Sequence, residues 1–179
     1  MNEVITCIME RRSVRSFQDR AIDRKDLEQI LYAGIHAPNG QNRQTWRFTV
    51  LSTKRRIDYY RGKVEKILSQ TQLDSLHGFE NPAAIIIVSD RRSNYNAMVN
   101  GACALENMML AAYSIGIGSC WNNALRTIQD EEEIRNGLFA ELGIPDTHRI
   151  AGSLLLGYIK EDDLAKKPRR RTDVIHFIE

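Results

Sequence analysis

The 179-residue chain is poor in several features that would each mark a protein class. It has only three cysteines, Cys7, Cys103 and Cys120, an odd number without CxxC or metal-type spacing. They are expected to be small buried apolar residues in a reducing compartment. The histidines, His36, His77, His148 and His176, are scattered and build no HxxxH or HExxH, so no metal site is expected. No apolar run approaches the roughly 20 residues a membrane-spanning helix needs. The first residues, Met1 to Cys7, lack a basic n-region, a useful apolar stretch and a small-residue cleavage site. That argues against a secretory signal, and a cytoplasmic location is expected. Charge of one sign is also scarce: 25 Lys and Arg stand against 23 Asp and Glu, a net charge of +2. A histone-like or DNA-coating protein is thereby disfavoured. There is no internal repeat and no GxGxxG, since Gly116-Ile117-Gly118 alone is too little for a dinucleotide fingerprint.

An apolar fraction of 42% with 27% charged residues fits one soluble globular domain spanning 1–179 and excludes disorder. The small net charge conceals a layout. Residues 1–66 carry 14 basic against 8 acidic side chains, residues 67–159 carry 5 against 10, and the last twenty carry 6 against 5. Basic ends around an acidic middle suggest a bound anion.

The spacing of Val4, Ile5, Ile8 and Met9 predicts a helix from about Asn2 to Arg11. Asp23 reads as the N-cap of a second helix carrying Leu27, Ile30, Leu31 and Ile35, stopping near His36 before the loop signal Pro38-Asn39-Gly40. Trp46 to Ser52 has strand composition, and Lys54 to about Ser69 reads as a charged helix. Ala83 to Val88, after Pro82, is the continuous apolar run of a fully buried central strand. Asn96 to Ile115, apolar nearly all round, predicts a helix buried on several faces. Gly116 to Gly118 ends it, and Ser119-Cys120-Trp121 opens another buried segment. Asp130 to Glu133 places acid at a helix start, and Arg149 to Tyr158 reads as a core strand. The apolar end Val174 to Ile178 is either a last strand on its own subunit or an arm on another. This order predicts an α+β fold around one sheet.

Three segments carry chemistry. Arg11-Arg12-Ser13-Val14-Arg15 packs three guanidiniums and a hydroxyl into five residues, donors suited to phosphate; the plainer reading is a solvated turn with cations at a helix C-terminus. Ala37 to Trp46 (APNGQNRQTW) offers amides with both a donor and an acceptor, as a uracil-like ring edge requires, or else an ordinary polar loop. Lys166-Lys167-Pro168-Arg169-Arg170-Arg171 is a third basic cluster; a solvated tail, a nucleic-acid patch or a sorting signal would look the same.

Taken together, RRSVR after a first helix, APNGQNRQTW, the NGACALENMMLAA helix with GIGSCW, and LLLGY followed by KKPRR resemble the FMN-dependent nitroreductase family, from about Ile5 to Arg171. The resemblance implies a nitroreductase-like fold with a central, mostly antiparallel sheet flanked by helices. It also implies a homodimer holding FMN at its interface, with a C-terminal arm of about 160–179 extending onto the partner. Arg11, Arg12, Ser13 and Arg15 then fall on the ribityl phosphate and the pyrimidine side of the flavin. Asn39, Asn42 and Gln44 fall near the isoalloxazine, often from the partner subunit. Trp121, Asn122 and the adjoining Asn123 match the stretch facing flavin N5, and Lys167, Arg169 and Arg170 reach the phosphate. The family usually carries Asp where this chain has Asn100, Gln where it has Glu106, and Pro where it has Thr45. Thr53 to Asn81 matches nothing diagnostic; His77, Gly78 and Phe79 are its candidate pocket residues.

The function so implied is an NAD(P)H oxidoreductase in which NADH or NADPH reduces the flavin and an electron-poor acceptor, such as a nitroaromatic or quinone, reoxidises it by ping-pong. The flavin carries the hydride chemistry, so no protein side chain is expected to be a catalytic acid or base. Alternatives on the same fold are a flavin storage, delivery or cleavage protein, or a reductive dehalogenase. A nucleic-acid module would show steep salt dependence, but no aromatics are interleaved with the basic residues, so no nucleic-acid or membrane partner is expected.

Overall fold

A computed structural model describes residues 2–68, 80–160 and 169–178. Four strands form one sheet in the order β1-β2-β4-β3: β1 (Arg47–Leu51), β2 (Ala84–Arg91), β3 (Gly118–Asn122) and β4 (His148–Gly157). Every pairing between them is antiparallel.

The apolar run in β2 sets the layering. Ile85 and Ile87 enter one core with Leu51, Leu155 and the Ile57, Tyr60 and Val64 side of α3 (Lys54–Ile67). Ala84, Ile86 and Val88 enter the other core. There they meet Leu27 and Ile30 of α2 (Arg24–Ile35) and Ala104, Leu105 and Met108 of α4 (Ala97–Ser114). With helices over both faces, β2 has no solvent side, and alternation is lost. Each fully buried Ile contributes about 1.5–3 kcal/mol.

The helices otherwise follow the sequence closely. α1 (Glu3–Glu10) starts at Asn2, whose side chain accepts from the Ile5 N–H at 3.0 Å. Asp23 precedes α2 as expected, but its side chain makes no capping bond; its carbonyl accepts from Asp26 and Leu27 instead. The expected end of α3, at Ser69, lies outside the described residues. A short helix absent from the sequence reading, α5 (Ala124–Thr127), follows β3. The helix expected after Asp130 is present, with a π-helical centre at Ile134–Phe139. The end of the chain forms no strand on its own subunit among the described residues: Val174, Ile175, Phe177 and Ile178 are exposed and irregular.

Candidate functional site

The basic segment leaves α1 and joins the edge of β3. Ser13 pairs in parallel with Ser119, and the Val14 N–H donates to the Ser119 carbonyl at 2.9 Å. Burial of Val14 and Phe17 anchors this stretch in the core while Arg15 stays exposed. The three arginines differ in role. Arg12 Nη1 donates to the carbonyls of Met9 at 2.9 Å and Arg11 at 2.7 Å, satisfying acceptors at the end of α1. Arg11 is held differently. Its Nε is buried and donates to no acceptor, and Glu106 Oε1 of α4 stands 3.8 Å away, an ion-pair distance rather than a hydrogen bond.

Two residues along β3 from Ser119, Trp121 turns to the α4 side of the sheet. Its ring crosses Gly152 so closely that a Cβ there would lie 2.6 Å from Nε1. Its indole N–H donates to Asn123 Oδ1 at 2.9 Å. Buried Asn122 accepts from the Ala124 N–H at 2.9 Å, which turns the chain into α5. The basic segment and the end of β3 are therefore neighbours on one chain.

The amide loop is built elsewhere. Gln41, Asn42 and Gln44 all lie in the left-handed region, at φ 58°, 50° and 48°. Each costs about 1–3 kcal/mol, which surrounding contacts must offset. Within the loop the Gln44 N–H donates to Asn39 Oδ1 at 3.0 Å, and Gln44 and Asn42 join side chain to side chain at 3.0 Å. Whichever way that amide pair is turned, it keeps one donor and one acceptor, and Asn39 Nδ2 adds a second donor. Two donors and an acceptor complement the carbonyl, imide N–H and carbonyl of a flavin's pyrimidine edge.

A buried polar cluster fixes this loop to the body. Asn100 Oδ1 of α4 accepts from the Gly40 N–H at 3.1 Å, and Asn94 Nδ2 donates to Thr45 Oγ1 at 3.0 Å. Both asparagines also donate to Asp90 Oδ2, at 3.5 and 2.9 Å. The sequence singles out neither Asp90 nor Asn94. The only signal is a carboxylate closing a run of buried strand residues, and Asn100 stands out there only as a departure from the family.

One chain keeps the two halves apart. Ser119, beside the basic segment, is in register with Leu156 of β4, whereas Asp90, beneath the amide loop, is in register with Arg149. Seven strand residues at roughly 3.3 Å each separate these positions by about 23 Å along β4. In the tail, Arg169 and Arg170 are exposed, while Arg171 makes a two-point ion pair with Asp173 at 2.9 and 2.7 Å. Lys167, His77, Gly78 and Phe79 lie outside the described residues. Among the described residues no cluster could hold a metal, and no helix is long and apolar enough to cross a membrane.

The site-bearing fold is an α–β–α sandwich on a four-stranded antiparallel sheet, with a basic segment on one sheet edge and an amide loop over the far end. The sequence pattern of the Nitroreductase family matches residues 8–158, and the chain belongs to that family. A crystal structure of a nitroreductase with bound FMN from Bacteroides fragilis superposes with a TM-score of 0.89 at 34% identity, covering 100% of both chains. A relative from Archaeoglobus fulgidus, provisionally named NADH dehydrogenase/NAD(P)H nitroreductase, is 31% identical over 166 residues, 90% of this chain and 88% of the relative. The FMN reductase [NAD(P)H] of Bacillus subtilis is 26% identical, covering 100% of this chain and 74% of its own length.

Proposed function

We propose that the protein is a homodimeric, FMN-dependent NAD(P)H oxidoreductase that reduces electron-poor acceptors such as nitroaromatics or quinones by a ping-pong mechanism. The observation that carries this reading is the buried Arg11 Nε, a cationic donor without an acceptor in a segment that also offers Ser13 and Arg15. A buried guanidinium donor left unmatched is costly, and a phosphate or a polarised ring carbonyl would satisfy it. FMN, when bound, supplies the ring that accepts and passes on hydride. The chain's residues bind and polarise it. Arg15 and Ser13 hold the phosphate with Arg169, Arg170 and Lys167. Arg11 places positive charge where the ring gains electron density. Arg12 contributes charge to the same region while its Nη1 closes α1.

The second half of the site is Asn39, Asn42 and Gln44, delivered by the partner subunit, since one chain holds its own loop far from its own basic segment. Two features support the dimer. The apolar tail is uncovered, and among the described residues nothing pairs with the outer edge of β1, where a partner's arm could add a strand. Trp121 and Asn122 border the ring through the end of β3.

An absorbance spectrum of the purified protein, followed by anaerobic mixing with NADH and NADPH, tests the reading. A flavin band near full occupancy that is bleached by one nicotinamide is expected; if neither bleaches it at a useful rate, the oxidoreductase assignment fails. Arg15→Ala is expected to purify with at least tenfold less FMN. Full occupancy in that variant would place the phosphate elsewhere.

A further inference from the structure

A single buried carboxylate ties down both ends of the amide loop. Asp90 is fully buried at the end of β2, and its Oδ1 accepts from the Arg91 N–H at 2.7 Å. Its Oδ2 takes the amide hydrogens of Asn94 and Asn100, which in turn hold Thr45 and Gly40. A carboxylate only accepts. It therefore favours Asn100 with Nδ2 turned inward, at a long 3.5 Å, which agrees with Oδ1 turned outward to the Gly40 N–H at 3.1 Å. A Cβ on Gly40 would lie 2.5 Å from Asn96 Nδ2, so a side chain there would require the Asn96 amide to move. The backbone N–H of Asn96 donates to Asn94 Oδ1 at 3.1 Å, which fixes the start of α4 beside the cluster.

We propose that Asp90 is a positioning residue for the flavin ring: acting through Asn100 and Asn94, it holds residues 40–45 in the conformation that presents Asn39, Asn42 and Gln44. This rests on the FMN reading above. It also gives a reason for Asn at position 100. A carboxylate there could still accept from Gly40, but it would face the carboxylate of Asp90 with no proton between them.

The polarity of the chain makes the inference testable by exchange. In Asp90→Asn one acceptor oxygen must serve donors that two oxygens served before. Asn100 then loses its fixed orientation and can present Nδ2 to the Gly40 N–H, donor against donor. Asn100→Asp sets two carboxylates together. The double exchange, Asp90→Asn with Asn100→Asp, restores an amide donor facing a carboxylate that accepts from Gly40, but the same amide N–H then meets Asn94 Nδ2, so only the Gly40 tie is restored.

Dissociation constants of FMN and of riboflavin, measured by flavin fluorescence quenching on flavin-stripped protein, provide the readout, alongside Tm and dimer mass. Each single variant is expected to bind both flavins at least tenfold more weakly, and by the same factor, because the ring is affected and the phosphate is not. The double exchange should bind both flavins more tightly than the two single losses multiplied while keeping the loss that comes from the Asn94 tie, and Thr45→Val, which removes that tie without burying a charge, should weaken both flavins severalfold. Arg15→Ala, in contrast, should weaken FMN and spare riboflavin. Single variants binding within twofold of the parent, or a double exchange no better than the two losses multiplied, would overturn the proposal. If Asp90→Asn does not fold, Asn100→Asp, the double exchange and Thr45→Val decide by the same criteria. If the parent takes up no flavin, the FMN reading fails separately. The clamp is then judged by hydrogen exchange at the Gly40 amide, expected to be slow in the parent and fast in Asn100→Asp; fast exchange in both would sink it.

Discussion

At the scale of single residues, the end of the sheet that carries the amide loop holds two titratable groups from which water is largely excluded. One is Asp90. The other is His148, which is in register with Arg91 and whose Nδ1 lies 3.1 Å from Ser89 Oγ. Burial pushes its pKa below the ordinary histidine value; nearby Asp90 opposes the shift, and Arg47 and Arg91 reinforce it. A lowered folded value means that the unfolded chain takes up the proton first as pH falls. The stability contributed by neutral His148 is therefore complete above about pH 6.5, the unfolded value. It declines as pH drops from there toward the folded value. Urea unfolding at pH 7.5 and 5.5 should show a larger loss for the parent than for His148→Gln. Equal losses would mean that His148 does not titrate differently on folding. The backbone carbonyl of the same residue accepts from Arg92 Nε at 2.9 Å.

At the scale of elements, close approach between helix and sheet explains a glycine that composition alone leaves unexplained. Gly101 lies in the middle of α4, where glycine costs about 1 kcal/mol relative to alanine. A Cβ there would lie 2.2 Å from the Ala151 Cβ of β4. Gly101→Ala should therefore destabilise the protein by about 1–3 kcal/mol through overpacking, despite its better helix propensity. A thermal melt distinguishes the two effects, because a rise in Tm would show that α4 can move away at no cost. This kind of contact marks where legibility in the sequence stops. The apolar run of β2, the Asp23 entry to α2 and the nearly uniform apolar character of α4 all reveal their elements, because periodicity and burial act locally. The RRSVR and APNGQNRQTW segments are legible as donor-rich stretches for the same reason. That Arg12 closes its own helix while Arg11 keeps a buried donor is not legible, since it depends on where Glu106 and the carbonyls of α1 fall. Asp90, Asn94 and Asn100 belong to a strand end, a turn and a helix, and only the fold makes them one cluster.

At the scale of the whole molecule, one chain has surfaces that a lone subunit would leave wet. α1 buries no residue, yet Val4, Ile5, Ile8 and Met9 are exposed along one side of it, and Val99 of α4 is 64% exposed. Exposed apolar side chains of this kind are what the proposed dimer would cover. The same dimer would also bring the basic segment of one subunit to the amide loop of the other, which a single chain holds about 23 Å apart along β4. Ile8→Asp places a carboxylate in the middle of the α1 face, where burial without a partner costs several kcal/mol. Sedimentation should give the parent a mass of twice 20.5 kDa and this variant a mass near 20.5 kDa at low micromolar concentration. The variant should also lose FMN, because half of each site would be missing. Arg15→Ala separates the two effects, since it should lose FMN while remaining a dimer. A monomeric Ile8→Asp protein that still carries full FMN would show that one chain assembles the whole site, and the division between subunits would be wrong.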